Sequence, residues 1–151
     1  MANFNGYNLR SYPDEGGYAV HRSLHKAFTP DGSVTYIHFK TNVPIASYIM
    51  TIIEAVGYNY GVAKPIRCGW GFYTYGTYIV TQSVRNSAYT GLSAHGIYSS
   101  SDGFVCIRGF ASGGSYYSGF ILNGYQTAGN GRGYALQITA SSYGTNSGSV
   151  F

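Results

Sequence analysis

The chain has 151 residues, a length that suits one domain with its own hydrophobic core. Charged residues make up only 9% of it, against roughly 25% in an average soluble domain, and the net charge is +4. The nine Lys and Arg residues are scattered singly, without the basic patch of a nucleic-acid-binding protein, so no nucleic-acid partner is expected. Such a low charge favours an oligomer over a soluble monomer.

The apolar pattern argues against two further classes, secreted and membrane-spanning proteins. The first residues, MANFNGYNLRSYPDEGG, lack the basic start and apolar stretch of a secretory signal, so we expect a protein made in the cytoplasm. The longest apolar run, 49–56, is interrupted by Thr51 and Glu54. It falls far short of the ~20 apolar residues of a membrane-spanning helix, and no membrane insertion is expected.

Glycine is the commonest residue, with 22 positions, and tyrosine, with 17, is the dominant aromatic residue. Tyrosine favours strands, glycine favours turns, and glycine in particular disfavours helices. Aromatic residues of all kinds reach 17%. The composition therefore predicts an all-β protein that carries many rings on its surface.

Residues 1–30 differ from the rest of the chain, because they are comparatively rich in charge and show no strand alternation. The segment 18–28, YAVHRSLHKAF, has Val20 and Leu24 at helical spacing, which predicts a helical turn. We therefore interpret 1–30 as an N-terminal arm or linker and 31–151 as the domain.

Two histidines of this arm, His21 and His25, are a weak candidate metal site. Their spacing would place both rings on one side of a helix. No third ligand lies nearby in the sequence, and solvated side chains are the simpler interpretation. We expect neither a metal nor a cofactor.

From the turn at 29–32 onward, short strand-like runs alternate with turn signals. The turn 101–103, Ser-Asp-Gly, indicates a hairpin. About seven or eight strands in this length predict an antiparallel β-sandwich with jelly-roll-like connections. The predicted strands are 34–41, 45–56, 66–75, 78–83, 104–110, 116–122 and 133–140.

Two adjacent predicted strands have informative side-chain patterns. The run 45–56 is apolar at both alternating sets of positions, which predicts a central strand covered on each side. The run 66–75 places Trp70 and Phe72 on the face of Ile66 and Cys68, where we expect core. Its other face carries Gly69 and Gly71, so a neighbouring chain, a ring or a ligand has room to approach the bare backbone.

Catalytic chemistry is not indicated. The five acidic residues provide no credible pair of carboxylates for glycoside hydrolysis, and no nucleophile elbow is present, so neither an enzyme nor a depolymerase is expected. Glu54, the one acid inside a predicted strand, is expected to pair with Lys40 or Arg67.

The two cysteines lie in separate apolar runs, at Cys68 and Cys106. Buried free thiols are the favoured interpretation, because cytoplasmic thiols stay reduced. A disulfide across the sheet remains the alternative.

Tyrosines in Gly-, Ser- and Asn-rich loops are typical of binding loops, in which the ring gives contact area at low entropic cost. Plain flexible loops would have the same composition, and both interpretations stay open. The residues that we select as candidate ligand contacts, from residue type and loop position, are Tyr58, Tyr60, Tyr75, Tyr125 and Arg132.

The segment 36–76 resembles domains near the C-termini of phage tail fibres and related receptor-binding proteins. The similar features are the lead-in HFKTNVPI (38–45), the strand ending in GYNYG (57–61) and the aromatic strand after it. The segment SSDGFVCIR, 100–108, resembles a downstream strand opening in the same proteins. The resemblance has no fixed binding motif, so it assigns no individual residue.

The resemblance implies a homotrimeric β-sandwich head at the tip of a virion tail fibre. Such a head would attach the virion to a host cell-surface polysaccharide or protein and would contact other virion tail proteins. Two alternatives remain: a free lectin or carbohydrate-binding module, and a structural virion protein that decorates the capsid or assembles the tail.

Overall fold

The computed structural model describes residues 18–128 and 136–151, which form nine β-strands and no helix. The all-β prediction is confirmed. In chain order the strands are β1 (Tyr18–Thr29), β2 (Tyr36–Pro44), β3 (Ile49–Asn59), β4 (Lys64–Tyr75), β5 (Tyr78–Asn86), β6 (Ser93–Ser99), β7 (Phe104–Phe110), β8 (Ser118–Ala128) and β9 (Ile138–Gly144).

The strands form two antiparallel sheets that pack face to face as a sandwich. One sheet has five strands in the order β1-β8-β3-β4-β5, and the other has four in the order β6-β7-β2-β9. The predicted β-sandwich is therefore confirmed, whereas jelly-roll connectivity stays a prediction. Because the described residues contain no helix, none of them forms a helix that could cross a membrane.

Strand β3 is central in the five-stranded sheet, as predicted, but only one of its faces is covered. Ile53 and Ala55 are fully buried, whereas Met50, Ile52 and Val56 are 55%, 46% and 43% exposed. The expectation of cover on both sides was wrong, because the second sheet packs on one face and no described residue covers the other.

The core lies between the sheets and centres on Trp70 of β4, which is fully buried, as predicted. Phe72 and Ile66 share its face and are also buried. The indole N–H of Trp70 donates a hydrogen bond of 2.9 Å to the carbonyl oxygen of Arg108, a residue of β7 in the opposite sheet. This bond joins the two layers inside the core.

The N-terminal prediction needs a correction. Residues 18–29 form strand β1, which pairs with β8, so the predicted helical turn is wrong. The pairing shifts between His21 and His25, and Ser23 has a positive φ of 53°. This bulge puts extra residues into the strand, so apolar and polar residues do not alternate regularly along it. Residues 1–17 of the predicted arm lie outside the described residues.

Strand β6 was not predicted at all, and β9 begins later than the predicted run 133–140, part of which lies outside the described residues. The hairpin between β6 and β7 is confirmed. Its turn contains Gly103 at a φ of +83°, and the Ser100 hydroxyl bonds both the Asp102 carboxylate at 2.6 Å and the backbone of Phe104.

Both cysteines are buried and unpaired, so the free-thiol interpretation is confirmed. Burial raises the pKa of the Cys68 thiol to about 12 and that of Cys106 to about 11. Neither thiol has the lowered pKa of a reactive cysteine.

Close approach of two strands makes one glycine indispensable. A Cβ on Gly57 of β3 would lie 2.1 Å from the carbonyl oxygen of Gly119 and 2.5 Å from the Cα of Phe120, both on β8. These contacts are to backbone atoms of a paired strand, which cannot move without breaking the ladder.

We expect Gly57→Ala to lower the free energy of unfolding by about 3 kcal/mol or more, through overpacking against backbone. Gly144→Ala is the matched control, because a Cβ there meets nothing within 4 Å, and we expect it to change the free energy by no more than ~0.5 kcal/mol. Urea unfolding of both variants measures the difference. Equal stability of the two would contradict the assigned packing.

Candidate functional site

The structure separates the predicted contact residues instead of gathering them. Tyr58, Tyr60, Tyr75 and Tyr125 are all exposed, between 38% and 63%. Tyr58 lies opposite Pro65 of β4, and Tyr75 lies about ten residues further along that strand, roughly 33 Å away. No single small ligand could contact both. Arg132 lies outside the described residues.

Tyr58 and Tyr60 belong to a larger group of rings, which we call the loop-end cluster. Tyr117 packs between Phe28 and Tyr60, at centroid distances of 6.3 and 6.0 Å, and Tyr116 lies 4.2 Å from Tyr117. Across the sheet, Gly119 of β8 pairs with Phe28 of β1 on one side and with Tyr58 of β3 on the other, so Tyr58 and Phe28 lie in the same row. All rings of the cluster are exposed, with fractions from 42% to 63%. The members of the loop-end cluster are Phe28, Tyr58, Tyr60, Tyr116 and Tyr117.

The loop before β8, which carries Tyr116 and Tyr117, is held in place by hydrogen bonds between side chains and backbone carbonyl groups. The Ser115 hydroxyl donates to the Val34 carbonyl at 2.7 Å, and the Asn59 amide donates to the Gly114 carbonyl at 3.0 Å. The Thr29 hydroxyl also donates to the carbonyl of Ser115. Tyr117 has a positive φ of 48°, a conformation that costs a non-glycine residue free energy and is often found at functional sites.

Tyr75 belongs to a second group of rings at the opposite end of the sheet. Tyr48 packs edge-on against Tyr75 at 5.0 Å, and Tyr73 lies 6.3 Å from Tyr75. Tyr48 also has a positive φ, of 57°. This group is smaller than the loop-end cluster. Tyr73 and Tyr75 lie at the end of β4, next to the turn in which Gly76 has a φ of +63°, and Tyr48 comes from the connection before β3.

Between the two groups lies a groove of about 650 Å³ on the outer face of the five-stranded sheet. Gly69 and Gly71 form its floor, as the sequence predicted, because their positions add no side chain to this face. Its walls come from the strands on either side, β3 and β5. They include Ile52, Glu54, Val56, Ser83 and Arg85.

Glu54 is not paired as expected. It lies exposed on the outer face, and no ion pair to it occurs among residues 18–128 and 136–151. Lys40 belongs to the other sheet and pairs with Asp102 at 2.6 Å. The hydrogen bond from this Lys40 ammonium, followed by that from Ser100, holds the pKa of the Asp102 carboxyl below its ordinary value. The prediction failed because it assumed that Glu54 was buried.

The two weak metal candidates lie on β1 rather than on a helix. His21 is buried, and His25 packs edge-on against Phe39 at 5.3 Å. Burial lowers the pKa of His25 below its ordinary value. Within the described part of the chain, no group of three or more His, Cys, Asp and Glu side chains is arranged to hold a metal ion.

The outer face of the four-stranded sheet is covered by the C-terminal residues, unlike that of its partner. His38 is buried there, with Nδ1 3.0 Å from the Tyr98 hydroxyl and Nε2 2.8 Å from the Asn146 carbonyl. A carbonyl only accepts, so Nε2 carries the proton and Nδ1 accepts from Tyr98. The Arg108 guanidinium donates to the carbonyl of Ser147.

The burial of His38 favours its neutral form. Burial lowers its pKa, the nearby Arg108 charge lowers it further, and the bond to Asn146 opposes both. Burial also raises the pKa of Tyr98 to about 12, so its hydroxyl remains a donor at neutral pH.

The sequence missed three members of the loop-end cluster. The predicted strand 116–122 includes Tyr116 and Tyr117, which both lie in the turn before β8, and Phe28 falls in the predicted arm, so none of the three is among the predicted contacts. The available signal was the pair of adjacent tyrosines after Gly113-Gly114, because both glycines have a positive φ and form a turn there. Their proximity to Tyr60 could not be read from local pattern.

Comparisons of this chain with protein-family models, with curated proteins and with solved structures found no match.

We expect acidification to destabilise the fold through His38. Its pKa is lower in the folded protein than in the unfolded chain, so the unfolded chain binds the proton first and stability falls as the pH drops below about 6.5. Urea unfolding at pH 7.5 and pH 5.5 measures the loss, at pH values where carboxylates stay ionised.

The variant His38→Gln should lose less stability over the same interval, because glutamine does not titrate. His25 is a second histidine whose pKa is lowered by burial, so the variant His25→Gln measures its separate contribution to the loss of stability. If His38→Gln loses as much stability as the parent protein, the assigned role of His38 is wrong.

Proposed function

We propose that this protein is an attachment module that binds a cell-surface glycan through the loop-end cluster. The observation that carries the proposal is the gathering of exposed rings from three separate parts of the chain. They come from the end of β1, from the end of β3 with the turn that follows it, and from the loop before β8. Isolated exposed rings are ordinary, whereas a contiguous group indicates a binding surface.

The chemistry of the cluster suits a sugar. Ring faces pack against the C–H faces of a pyranose, and tyrosine hydroxyls donate to and accept from its hydroxyl groups. Because Asn59, Thr29 and Ser115 fix the loop that carries Tyr116 and Tyr117, less conformational entropy is lost on binding.

The resemblance to phage tail-fibre proteins supplies the biological context of the proposal. In that context the protein is a receptor-binding head at the fibre tip, present in three copies, and the host surface provides the glycan. A binding module needs no catalytic carboxylate pair, which agrees with the dispersed acids. Tyr75 and Tyr125 lie far from the loop-end cluster, so we narrow the proposed contact set to the cluster itself.

The test is binding of labelled protein to an array of bacterial surface polysaccharides. We expect Tyr60→Ala and Tyr117→Ala each to weaken binding by about fivefold or more, because each removes a stacking ring worth about 1 kcal/mol or more. Tyr89→Ala is the matched control, since Tyr89 is 77% exposed in a different turn, between β5 and β6.

The control should bind like the parent protein. Circular dichroism of each variant separates lost contacts from lost fold. Binding that all three variants retain in full, or an array on which the parent protein binds nothing, would contradict the proposal.

A further inference from the structure

The groove on the outer face of the five-stranded sheet contains two arginines close together. Arg67 precedes Gly69 by two residues on β4, and Arg85 of β5 lies directly opposite Gly69, so all three share one face of the sheet. Residues in such diagonal positions on paired strands are about 8 Å apart. Both arginines are exposed, and neither forms an ion pair within residues 18–128 and 136–151. The groove therefore offers two positive charges to a ligand at one place.

The wall formed by β3 differs from the arginine side. Glu54 lies opposite Gly69, so Glu54 and Arg85 stand in one row on either side of the bare glycine, about 10 Å apart between Cα atoms. Ile52 and Val56 flank Glu54 on the same face and are 46% and 43% exposed. A ligand that fits both walls has an anionic group towards the arginines. Towards β3 it has hydrogen-bond donors and apolar surface.

The floor between the walls is bare backbone. Gly69 and Gly71 add no side chain to this face, and a Cβ on Gly71 would lie 2.9 Å from the Ser83 hydroxyl oxygen. A flat ring can therefore lie directly against β4. The groove volume of about 650 Å³ falls within the range of roughly 300–1,000 Å³ that is usual for small-ligand sites.

We propose that this groove binds a carboxylate-bearing sugar, a uronic acid unit of an oligosaccharide or polysaccharide. The sugar carboxylate lies between the guanidinium groups of Arg67 and Arg85, whose planar N–H donors match carboxylate geometry. The sugar hydroxyls donate hydrogen bonds to the Glu54 carboxylate on the other wall. The face of the sugar ring lies over Gly69 and Gly71.

Two other kinds of anionic partner fit these contacts less well. Residues 68–71 of β4 are paired with β3 on one side and with β5 on the other. An acidic peptide would therefore find no free backbone partner on the floor, whereas peptides that extend a sheet bind at its edge. A nucleic acid carries closely spaced phosphates, which Glu54 would repel. Among the described residues that line the groove, the one aromatic residue, Trp70, is fully buried and gives bases nothing to stack on.

The inference goes beyond glycan binding by the loop-end cluster and does not rest on it. The described residues that line the groove include no member of the cluster. The nearest member, Tyr58, follows Val56 on the same face of β3, so the two sites are neighbours with separate contact residues. Variants of each site therefore test one proposal without altering the other.

The test is binding of short uronic acid oligomers in solution, measured by NMR titration at low ionic strength. The probes are oligomers of glucuronate, galacturonate and mannuronate, each compared with its neutral methyl ester. We expect at least one acid oligomer to bind, and its ester to bind about tenfold more weakly, because the ester cannot accept charge-assisted hydrogen bonds from two arginines. Added salt should weaken the binding of the acid.

We expect Arg67→Gln and Arg85→Gln each to weaken binding of the acid oligomer about threefold or more, because each removes one exposed positive charge. Gly71→Val keeps both charges but fills the floor, so it should weaken binding as well. Arg22→Gln is the matched control, since it makes the same change at an exposed position of β1, at the far edge of the sheet. It should bind like the parent protein. Circular dichroism checks that each variant is folded.

The proposal is overturned if no acid oligomer binds the parent protein, if the ester binds equally well, or if the arginine variants or Gly71→Val bind like the parent. Equal binding of inorganic phosphate or of an oligo-glutamate peptide would also contradict it, because charge alone would then explain the binding. Tyr60→Ala should keep uronate binding. If Tyr60→Ala loses that binding while the arginine variants keep it, the groove is not the site and the proposal for the loop-end cluster stands.

Discussion

The hydrogen bond from Trp70 to the Arg108 carbonyl is the contact on which the sandwich depends. It crosses the core and sets β4 against β7, so it fixes how the two sheets lie on each other. Trp70 fills the space between the layers from a strand whose neighbouring positions, Gly69 and Gly71, carry nothing on the opposite side. One stretch of β4 thus supplies both the fully buried Trp70 of the core and the floor of the groove on the outer face.

The fold could be predicted where strands alternate regularly and lie next to each other in sequence. Strands β3, β4 and β7 were predicted within a few residues because β4 alternates regularly and because β3 and β7 are nearly continuous apolar runs next to turn signals. Strand β1 was missed because the bulge at Ser23 interrupts that period, and β6 because its pairing shifts between Ala94 and Gly96, which leaves His95 unmatched. Local pattern cannot reveal a strand whose period is broken inside it.

For the candidate site, the sequence could predict the exposure of single residues but not which residues lie together. Exposure of Tyr58 and Tyr60 follows from their place at the end of a strand, but their neighbours come from parts of the chain that are far away in sequence. Thr29 and Ser115 are 86 positions apart, and their hydrogen bond helps bring Phe28 to Tyr117. Glu54 was misjudged for the related reason that sequence cannot say whether one or both faces of a sheet are covered.

The position of β2 in the four-stranded sheet has a consequence for synthesis. Both of its neighbours, β7 and β9, follow it by more than fifty residues, and His38 bonds a residue 108 positions later. On the ribosome β2 therefore emerges long before it can be paired, whereas β3, β4 and β5 can close as successive hairpins. Formation of this sheet is therefore non-local, which favours slow folding, and β2 is unpaired in the nascent chain until the later strands are made.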